Sequence, residues 1–134
     1  MADELPDPQR LIVADADVLI RNVLADYLRN CGYKVFEAAT SDEVMLALEE
    51  GAAKIDALLA DAELSGRFNA FELRIWVRDH YPDVEIVLAG NIDSAARAAG
   101  HLCDEGPHLK RPYDPESVAA HIKRLLAATR RQVP

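Results

Sequence analysis

Short apolar runs rich in β-branched residues alternate along this chain with segments whose apolar residues recur at helical spacing. No other feature of the 134 residues restricts the possible folds as strongly. The pattern predicts five strands, at 11–14, 34–36, 55–60, 84–88 and 108–110. It predicts five helices, at 17–30, 41–50, 71–80, 93–103 and 115–131. Because parallel neighbours must be joined by crossovers, this alternation predicts an α/β fold, a parallel sheet wound with helices on both faces.

The ends of the predicted helices carry recognisable residue types. Gly32 is expected to end the first helix in a left-handed conformation, and Ser41 is expected to cap the start of the second. Pro115 is suited to the first turn of the last helix. Gly100 lies inside the fourth helix, where glycine costs about 1 kcal/mol relative to alanine. We therefore expect the fourth helix to be the least regular.

Charge and hydropathy exclude several classes of function. Lysine and arginine number 15 against 23 aspartates and glutamates, which gives a formal charge of −8. This excess of acid opposes nucleic-acid binding, which depends on cations displacing counterions from phosphates. No apolar run is long enough to cross a membrane, and residues 1–9 do not have the pattern of a secretion signal. The partner is therefore expected to be a protein.

Length and cysteine content predict one cytoplasmic domain. Half of the residues are hydrophobic, so a chain of this size can build a core without a disulfide or structural metal. We expect a single domain over 1–134, with its core at about 9–131 and no output domain. Cys31 and Cys103 could pair, but the absence of a secretion signal favours two reduced, buried thiols.

Charged side chains follow the predicted strands at one edge of the sheet. Asp15, Asp61, Ala89 and Arg111 come at the ends of the first, third, fourth and fifth strands, where ligands of such folds bind. Two neighbouring carboxylates repel each other, and a divalent metal with oxygen ligands relieves that repulsion well. The alternative is that Asp15 or Asp17 only caps the following helix. With a cation at a third strand end, the set predicts a phosphate or metal site.

At these residues the sequence resembles the receiver domains of two-component response regulators. The resemblance rests on 11–21, on 56–61 with 64–66 and 71–73 behind it, and on 110–116. It implies a flavodoxin-like, doubly wound, five-stranded parallel sheet in the order 2-1-3-4-5. It also implies that Asp61 is the phosphoacceptor, and that it receives a phosphoryl group from a histidine kinase or phosphotransfer protein.

The family holds Mg²⁺ with a pair of acids after the first strand, the phosphoacceptor and a nearby backbone carbonyl. In this sequence the resemblance implies Asp15, Asp61 and the backbone carbonyl of Glu63 as the metal ligands. The second acid of the pair is replaced by Ala16, and Asp17 lies one step further into the turn. We therefore expect Mg²⁺ to bind weakly or not at all.

The family's phosphate contacts and switch residues also change. Ala89 occupies the position of the usual threonine or serine and has no hydroxyl. Arg111 falls in the usual lysine position, with Lys110 facing the opposite side of the strand, and contacts phosphate with different geometry. His108 replaces the aromatic residue of the switch. These departures predict an impaired response to phosphorylation.

The leading hypothesis is a stand-alone receiver, not an enzyme, that takes part in a phosphorelay by binding a downstream protein. The alternative within this class is a pseudo-receiver that binds its partner without phosphate. A rival from another class is a phosphatase of the haloacid dehalogenase type with Asp15 and Asp17 as nucleophile and acid. The Gly-Thr that usually follows and a late pair of metal-binding acids are both missing. The loop after the first strand also lacks the Ser, Thr and Gly of a flavodoxin phosphate loop.

Overall fold

A computed structural model describes residues 9–51, 54–105 and 114–131, with side chains described as far as residue 129. The described strands are β1 (Arg10–Ala14), β2 (Lys34–Ala38), β3 (Ala57–Asp61) and β4 (Glu85–Ala89). The helices are α1 (Val18–Asn30), α2 (Ser41–Glu50), α3 (Ala70–His80), α4 (Ile92–Glu105) and α5 (Pro115–Arg131). Each of these elements lies within about two residues of its predicted range.

The four strands form one parallel sheet in the order β2-β1-β3-β4. The predicted α/β fold and this part of the strand order are therefore confirmed. The fifth strand, predicted at 108–110, lies outside the described residues. In the parallel register, Ala14 pairs with Ala60 and Asp61 pairs with Ala89, so the carboxyl ends of β1, β3 and β4 meet at one edge.

Alternate residues of each central strand pack into separate cores on the two faces of the sheet. Leu11 and Val13 of β1 pack in the core that contains α1, α4 and α5. Ile12 and Ala14 pack in the core that contains α2 and α3. Because both faces of β1 and β3 are covered, these strands are apolar almost throughout, as the sequence predicts.

The helix ends confirm one prediction and correct another. Gly32 follows α1 with φ +104°, the left-handed conformation expected of a terminating glycine. The cap of α2 is Thr40, whose side chain accepts a hydrogen bond from the backbone N of Glu43, so the prediction of Ser41 as cap is wrong. Ser41 is buried instead, and its hydroxyl is satisfied by hydrogen bonds with the backbone of Phe68.

The fourth helix is continuous through Gly100, which corrects the expectation of an irregular helix. A Cβ atom at position 100 would lie 2.5 Å from Cγ of Pro115, at the start of α5. Glycine is therefore needed for the close approach of the two helices. The packing gained at this crossing, together with Ala96 and Ala99 buried nearby, outweighs the low helix propensity of glycine.

The structure joins Cys31 and Cys103 in a disulfide, so the expectation of two reduced thiols is wrong. Cys31 follows the last residue of α1, and Cys103 lies in the last turn of α4. Beside this bond, the hydroxyl of Tyr33 donates a hydrogen bond to the backbone oxygen of Leu102. Burial raises the pKa of Tyr33 to about 12, which keeps this donor protonated. The end of α4 is thus fixed to the α1–β2 turn by a covalent bond and a buried hydrogen bond.

Within the described ranges, no helix combines the length and apolar character that crossing a membrane requires.

Candidate functional site

A cavity of about 160 Å³ opens at the carboxyl edge of the sheet. Asp15, Asp61 and Glu63 line it with carboxylates, and Ala89 and Asn91 line its other side. Its floor consists of apolar residues from β1, β3, α1 and α4, among them Val13, Leu59, Ile20, Leu24 and Ala95. Asp15, Asp61 and Ala89, predicted at the ends of three strands, therefore line one cavity together with apolar residues.

Asp61 is the last residue of β3 and is partly exposed. Its carboxylate accepts a hydrogen bond from the backbone N of Glu63 at 3.2 Å. Its neighbour across the sheet is Ala89, and the backbone N of Ala62 donates to the Ala89 oxygen at 2.8 Å. The structure thus brings Asp61 and Ala89 together, and the Ala89 side chain beside Asp61 is a methyl group without a hydroxyl.

Asp15 is buried, with 8% of its surface exposed. Burial, together with the charge of nearby Asp61, raises the pKa of Asp15 from 3.8 to about 6. The hydrogen bond from the backbone N of Asp17 to Asp15 Oδ1, 2.8 Å, acts in the opposite direction. A bound cation would favour the ionised form of Asp15, so metal binding and proton release at this site are coupled.

Asp17 serves as the cap of α1. Its Oδ1 accepts hydrogen bonds from the backbone N of Leu19 at 2.9 Å and of Ile20 at 3.2 Å. Asp17 therefore has a structural use and does not line the cavity with Asp15 and Asp61. The same contacts leave the phosphatase interpretation, in which Asp17 would be the general acid, without structural support.

The described residues supply only some of the ligands that a divalent cation needs. Asp15 and Asp61 supply two carboxylates at the cavity, and Glu63 adds an exposed acid beside them. In the described part of the chain, no three His, Cys, Asp or Glu side chains are gathered as a group that could hold a metal ion. Ala16 is exposed in the turn between Asp15 and Asp17. It occupies the position at which the pair of acids expected after β1 lacks its second carboxylate.

Two residues near the site were not predicted from the sequence. Arg21 donates a hydrogen bond from its guanidinium to the backbone oxygen of Asp15 at 3.0 Å and pairs with Glu37 on β2. Asn91 lines the cavity and caps α4 by accepting from the backbone N of Ser94 at 2.8 Å. The Asn91-x-x-Ser94 spacing resembles a capping box and could have revealed the helix start. No spacing or residue pattern in the sequence indicates the contact between Arg21 and the backbone of Asp15.

The loop after Asp61 is attached to the start of α2. Ser41 donates from its backbone N to Ser65, and its hydroxyl both donates to and accepts from the backbone of Phe68. The backbone N of Arg67 donates to the carboxylate of Asp42 at 2.8 Å. Gly66 adopts φ +129°, and a Cβ atom there would lie 2.6 Å from Ser41 Oγ. Four hydrogen bonds thus hold this loop in one position.

Three of the predicted site residues lie outside the described residues. Arg111, in the position of the usual lysine, belongs to this group, as do Lys110 and His108. Their predicted roles therefore remain predictions.

Sequence comparisons find similarity to bacterial regulators. No protein-family model matches the chain. The transcriptional regulatory protein GltR of Pseudomonas aeruginosa is 29% identical over 122 residues, which cover 87% of this chain and 48% of GltR. The transcriptional regulatory protein AruR of the same species is 27% identical over 124 residues, covering 90% of this chain and 50% of AruR. The chain spans about half the length of these curated relatives.

Solved structures share the fold described above. A proposed response regulator from Chloroflexus aurantiacus superimposes with a TM-score of 0.57 and 28% identity, over 90% of this chain and 99% of that chain. The chain has the fold of a response regulator receiver domain. The chemotaxis response regulator CheY4 of Vibrio cholerae superimposes with a TM-score of 0.56 and 20% identity, over 88% of this chain and 98% of that chain. The chain is therefore similar, in fold and in sequence, to response regulators of two-component signalling.

Restoring the missing acid should strengthen metal binding by the receiver domain. We expect Ala16→Asp to lower the dissociation constant for Mg²⁺ by about tenfold, because it adds a carboxylate beside Asp15 and Asp61. Ala16→Asn is the matched control, since it adds similar bulk without charge. Calorimetry measures both affinities. Equal affinities in the wild type and Ala16→Asp would show that position 16 does not limit the site.

Proposed function

We propose that this receiver domain accepts a phosphoryl group on Asp61 from a histidine kinase or phosphotransfer protein, with the help of weakly bound Mg²⁺. The position of Asp61 carries this proposal: it ends β3 in the cavity at the carboxyl edge, beside Asp15 and opposite Ala89. No other described aspartate both ends a strand of the sheet and lines this cavity. The proposal extends to signalling through a downstream protein that binds the domain.

The chemistry requires positioning more than covalent assistance. A carboxylate oxygen of Asp61 attacks phosphorus, a new O–P bond forms, and the P–N bond to the donor histidine breaks in line with it. The leaving imidazole takes up a proton. Mg²⁺ held by Asp15, Asp61 and the backbone carbonyl of Glu63 would neutralise charge on the equatorial oxygens. Arg111, at the end of the predicted fifth strand, would supply a further positive charge.

The proposal includes an impaired switch. Ala89 cannot donate a hydrogen bond to a phosphoryl oxygen, a contact worth roughly 1.5–3 kcal/mol with a charged acceptor. A ligand shifts a conformational equilibrium only by its differential affinity for the two states. In addition, α4 is capped at Asn91 and fixed at Cys103 and Leu102. Both features support the proposal that phosphorylation of Asp61 has little influence on the position of α4.

A second candidate function is a pseudo-receiver that binds its protein partner without phosphorylation. The contacts of Asp17 favour it, because they use as a helix cap the acid that would otherwise replace the one missing at position 16. The raised pKa of Asp15, about 6, also keeps part of this carboxylate protonated in mildly acidic conditions, which weakens metal binding there.

Treatment with acetyl phosphate and Mg²⁺ distinguishes the two functions. We expect the wild type to gain one phosphoryl group, detected by intact mass, and Asp61→Asn to gain none. Asp56→Asn, at the edge of the sheet opposite the cavity, is the matched control and should behave as the wild type. An unmodified wild-type protein under conditions that label a receiver with the full acid pair would favour the pseudo-receiver.

Beryllium fluoride tests the impaired switch. We expect it to shift amide resonances near Asp15, Asp61 and Arg111 while leaving those of 93–103 and Tyr113 almost unchanged. Once a partner is identified, its binding should survive Asp61→Ala within a few-fold. Large shifts along α4, or loss of partner binding in that variant, would contradict the proposed impairment.

A further inference from the structure

Arg21 connects the turn after β1 to the neighbouring strand β2. It lies in the first turn of α1, and its side chain is largely buried, with 17% of its surface exposed. Its Nη1 donates a hydrogen bond to the backbone oxygen of Asp15 at 3.0 Å, and its Nε donates to Oε1 of Glu37 at 3.1 Å. Because the donors of a guanidinium have a fixed planar geometry, the two contacts together set the position of the Asp15 carbonyl relative to β2.

A second arginine of α1 holds the other oxygen of Glu37. Arg29 lies about two turns further along the helix, and its Nη2 donates to Oε2 of Glu37 at 3.2 Å and to the backbone oxygen of Val35 at 2.9 Å. Each oxygen of the Glu37 carboxylate is therefore paired with one arginine. A carboxylate held at both oxygens has little freedom to rotate, so Glu37 presents Oε1 to Arg21 in one orientation.

The contact from Arg21 completes the set that holds Asp15. The backbone N of Asp15 donates to the oxygen of Ala38 at 2.9 Å, and Oδ1 of Asp15 accepts from the backbone N of Asp17 at 2.8 Å. These contacts fix the backbone N and one carboxylate oxygen of Asp15. The bond from Arg21 fixes the carbonyl, which belongs to the peptide group through which the chain leaves β1. It thereby sets the direction of the turn that follows.

Arg21 reaches the candidate site only through Asp15. It is not among the described residues that line the cavity, whereas Asp15 and Asp61 are. The positive charge of Arg21 opposes the binding of a cation near Asp15 by Coulomb repulsion. An orienting effect on Asp15 would instead favour cation binding. Since the two effects have opposite signs, the sign of the change on removing Arg21 shows which one dominates.

We propose that Arg21, held by Glu37, is a positioning residue that keeps Asp15 in the orientation required to bind Mg²⁺. The inference rests on the proposed function, in which Asp15 is a metal ligand. Groups that orient a metal ligand typically contribute about 10- to 100-fold to metal affinity. Mg²⁺ requires nearly octahedral geometry, so the placement of each available ligand affects its binding strongly.

Calorimetric titration of the full chain with Mg²⁺ tests this inference. Arg21→Gln removes both the charge and the guanidinium, and it should raise the dissociation constant about tenfold. Arg21→Lys keeps the charge without the fixed pair of donors, and it should raise the constant about threefold. Arg29→Gln is the matched control, because Arg29 also joins α1 to Glu37 but does not contact Asp15. Its side chain is 41% exposed, and its loss should change the constant by less than about twofold.

A double-mutant cycle tests whether Glu37 acts through Arg21. Glu37→Gln alone should raise the dissociation constant for Mg²⁺ about threefold, because Arg21 loses its fixed partner. Added to Arg21→Gln, it should have no further effect. Electrostatic effects of two independent charges would behave differently. Loss of Arg21 would then strengthen Mg²⁺ binding, loss of Glu37 would weaken it, and the two changes would add.

The outcomes separate this inference from the proposed function. If the wild type binds Mg²⁺ and Arg21→Gln binds it equally well or better, the inference is overturned and the proposed function stands. An equal loss of affinity in Arg29→Gln, or additive effects in the cycle, would also overturn it. A wild type that binds no Mg²⁺ would overturn the proposed function and this inference with it. Circular dichroism confirms that each variant is folded, and if Arg21→Gln is not, unchanged affinity in Arg21→Lys decides against the inference.

Discussion

Reduction of the Cys31–Cys103 disulfide should lower the free energy of unfolding by about 4 kcal/mol. The two cysteines are 72 residues apart, so the bond removes a large part of the freedom of the unfolded chain. In the folded state both residues are buried, between the end of α1 and the last turn of α4. A loss of this size is a large fraction of the stability of a domain of this length.

Urea unfolding with and without a phosphine reductant measures this effect, with thiol titration to confirm complete reduction. The double variant C31A/C103A is the control, since it keeps small apolar side chains at both positions. It should resemble the reduced wild type and should not respond to reductant. Identical unfolding midpoints for the oxidised and reduced wild type would show that the bond contributes nothing to stability.

Asp15→Asn should raise the free energy of unfolding near pH 8 by up to about 3 kcal/mol. Burial and the charge of Asp61 raise the pKa of Asp15 from 3.8 to about 6 in the folded protein. The folded state therefore binds this proton more tightly than the unfolded state does. Stability falls as pH rises from about 4 to about 6, and the full cost of ionising Asp15 is present above that range.

The asparagine variant removes that cost and can still accept the hydrogen bond from the backbone N of Asp17. Its advantage over the wild type should therefore be large near pH 8 and small near pH 4. Urea unfolding at both pH values in EDTA measures the difference without competing metal. A pH-independent advantage would point to a cause other than the ionisation of Asp15. The same substitution should weaken Mg²⁺ binding, so stability and metal affinity change in opposite directions at this position.

The sequence was sufficient to predict that Asp15, Asp61 and Ala89 lie at one edge of the sheet, because register in a parallel sheet is determined by the buried strands. Once Leu58, Leu59 and Ala60 are placed inside, Asp61 must lie at the carboxyl edge, next to the end of β4. The same reasoning located Asp15. Helix ranges were predictable for a similar reason, since each apolar stripe must face the sheet.

Features that depend on contacts between distant segments were not predictable. The fourth helix was expected to be irregular at Gly100, and only the position of Pro115 explains why glycine is favourable there. The disulfide depends on bringing together the ends of α1 and α4, which no local pattern reveals. Ser41 was taken as a cap because serine commonly caps helices, whereas its hydroxyl binds the backbone of Phe68.

The attachment of the loop after Asp61 to α2 limits how the sequence can diverge. Any side chain at position 66 would collide with Ser41 Oγ and would also have to adopt φ +129°, which residues other than glycine rarely do. Loss of the Ser41 hydroxyl would in turn leave the partly buried backbone of Phe68 without its partner. Homologues that keep this loop should therefore retain Ser41 and Gly66 together, and those that lose one should have lost the other.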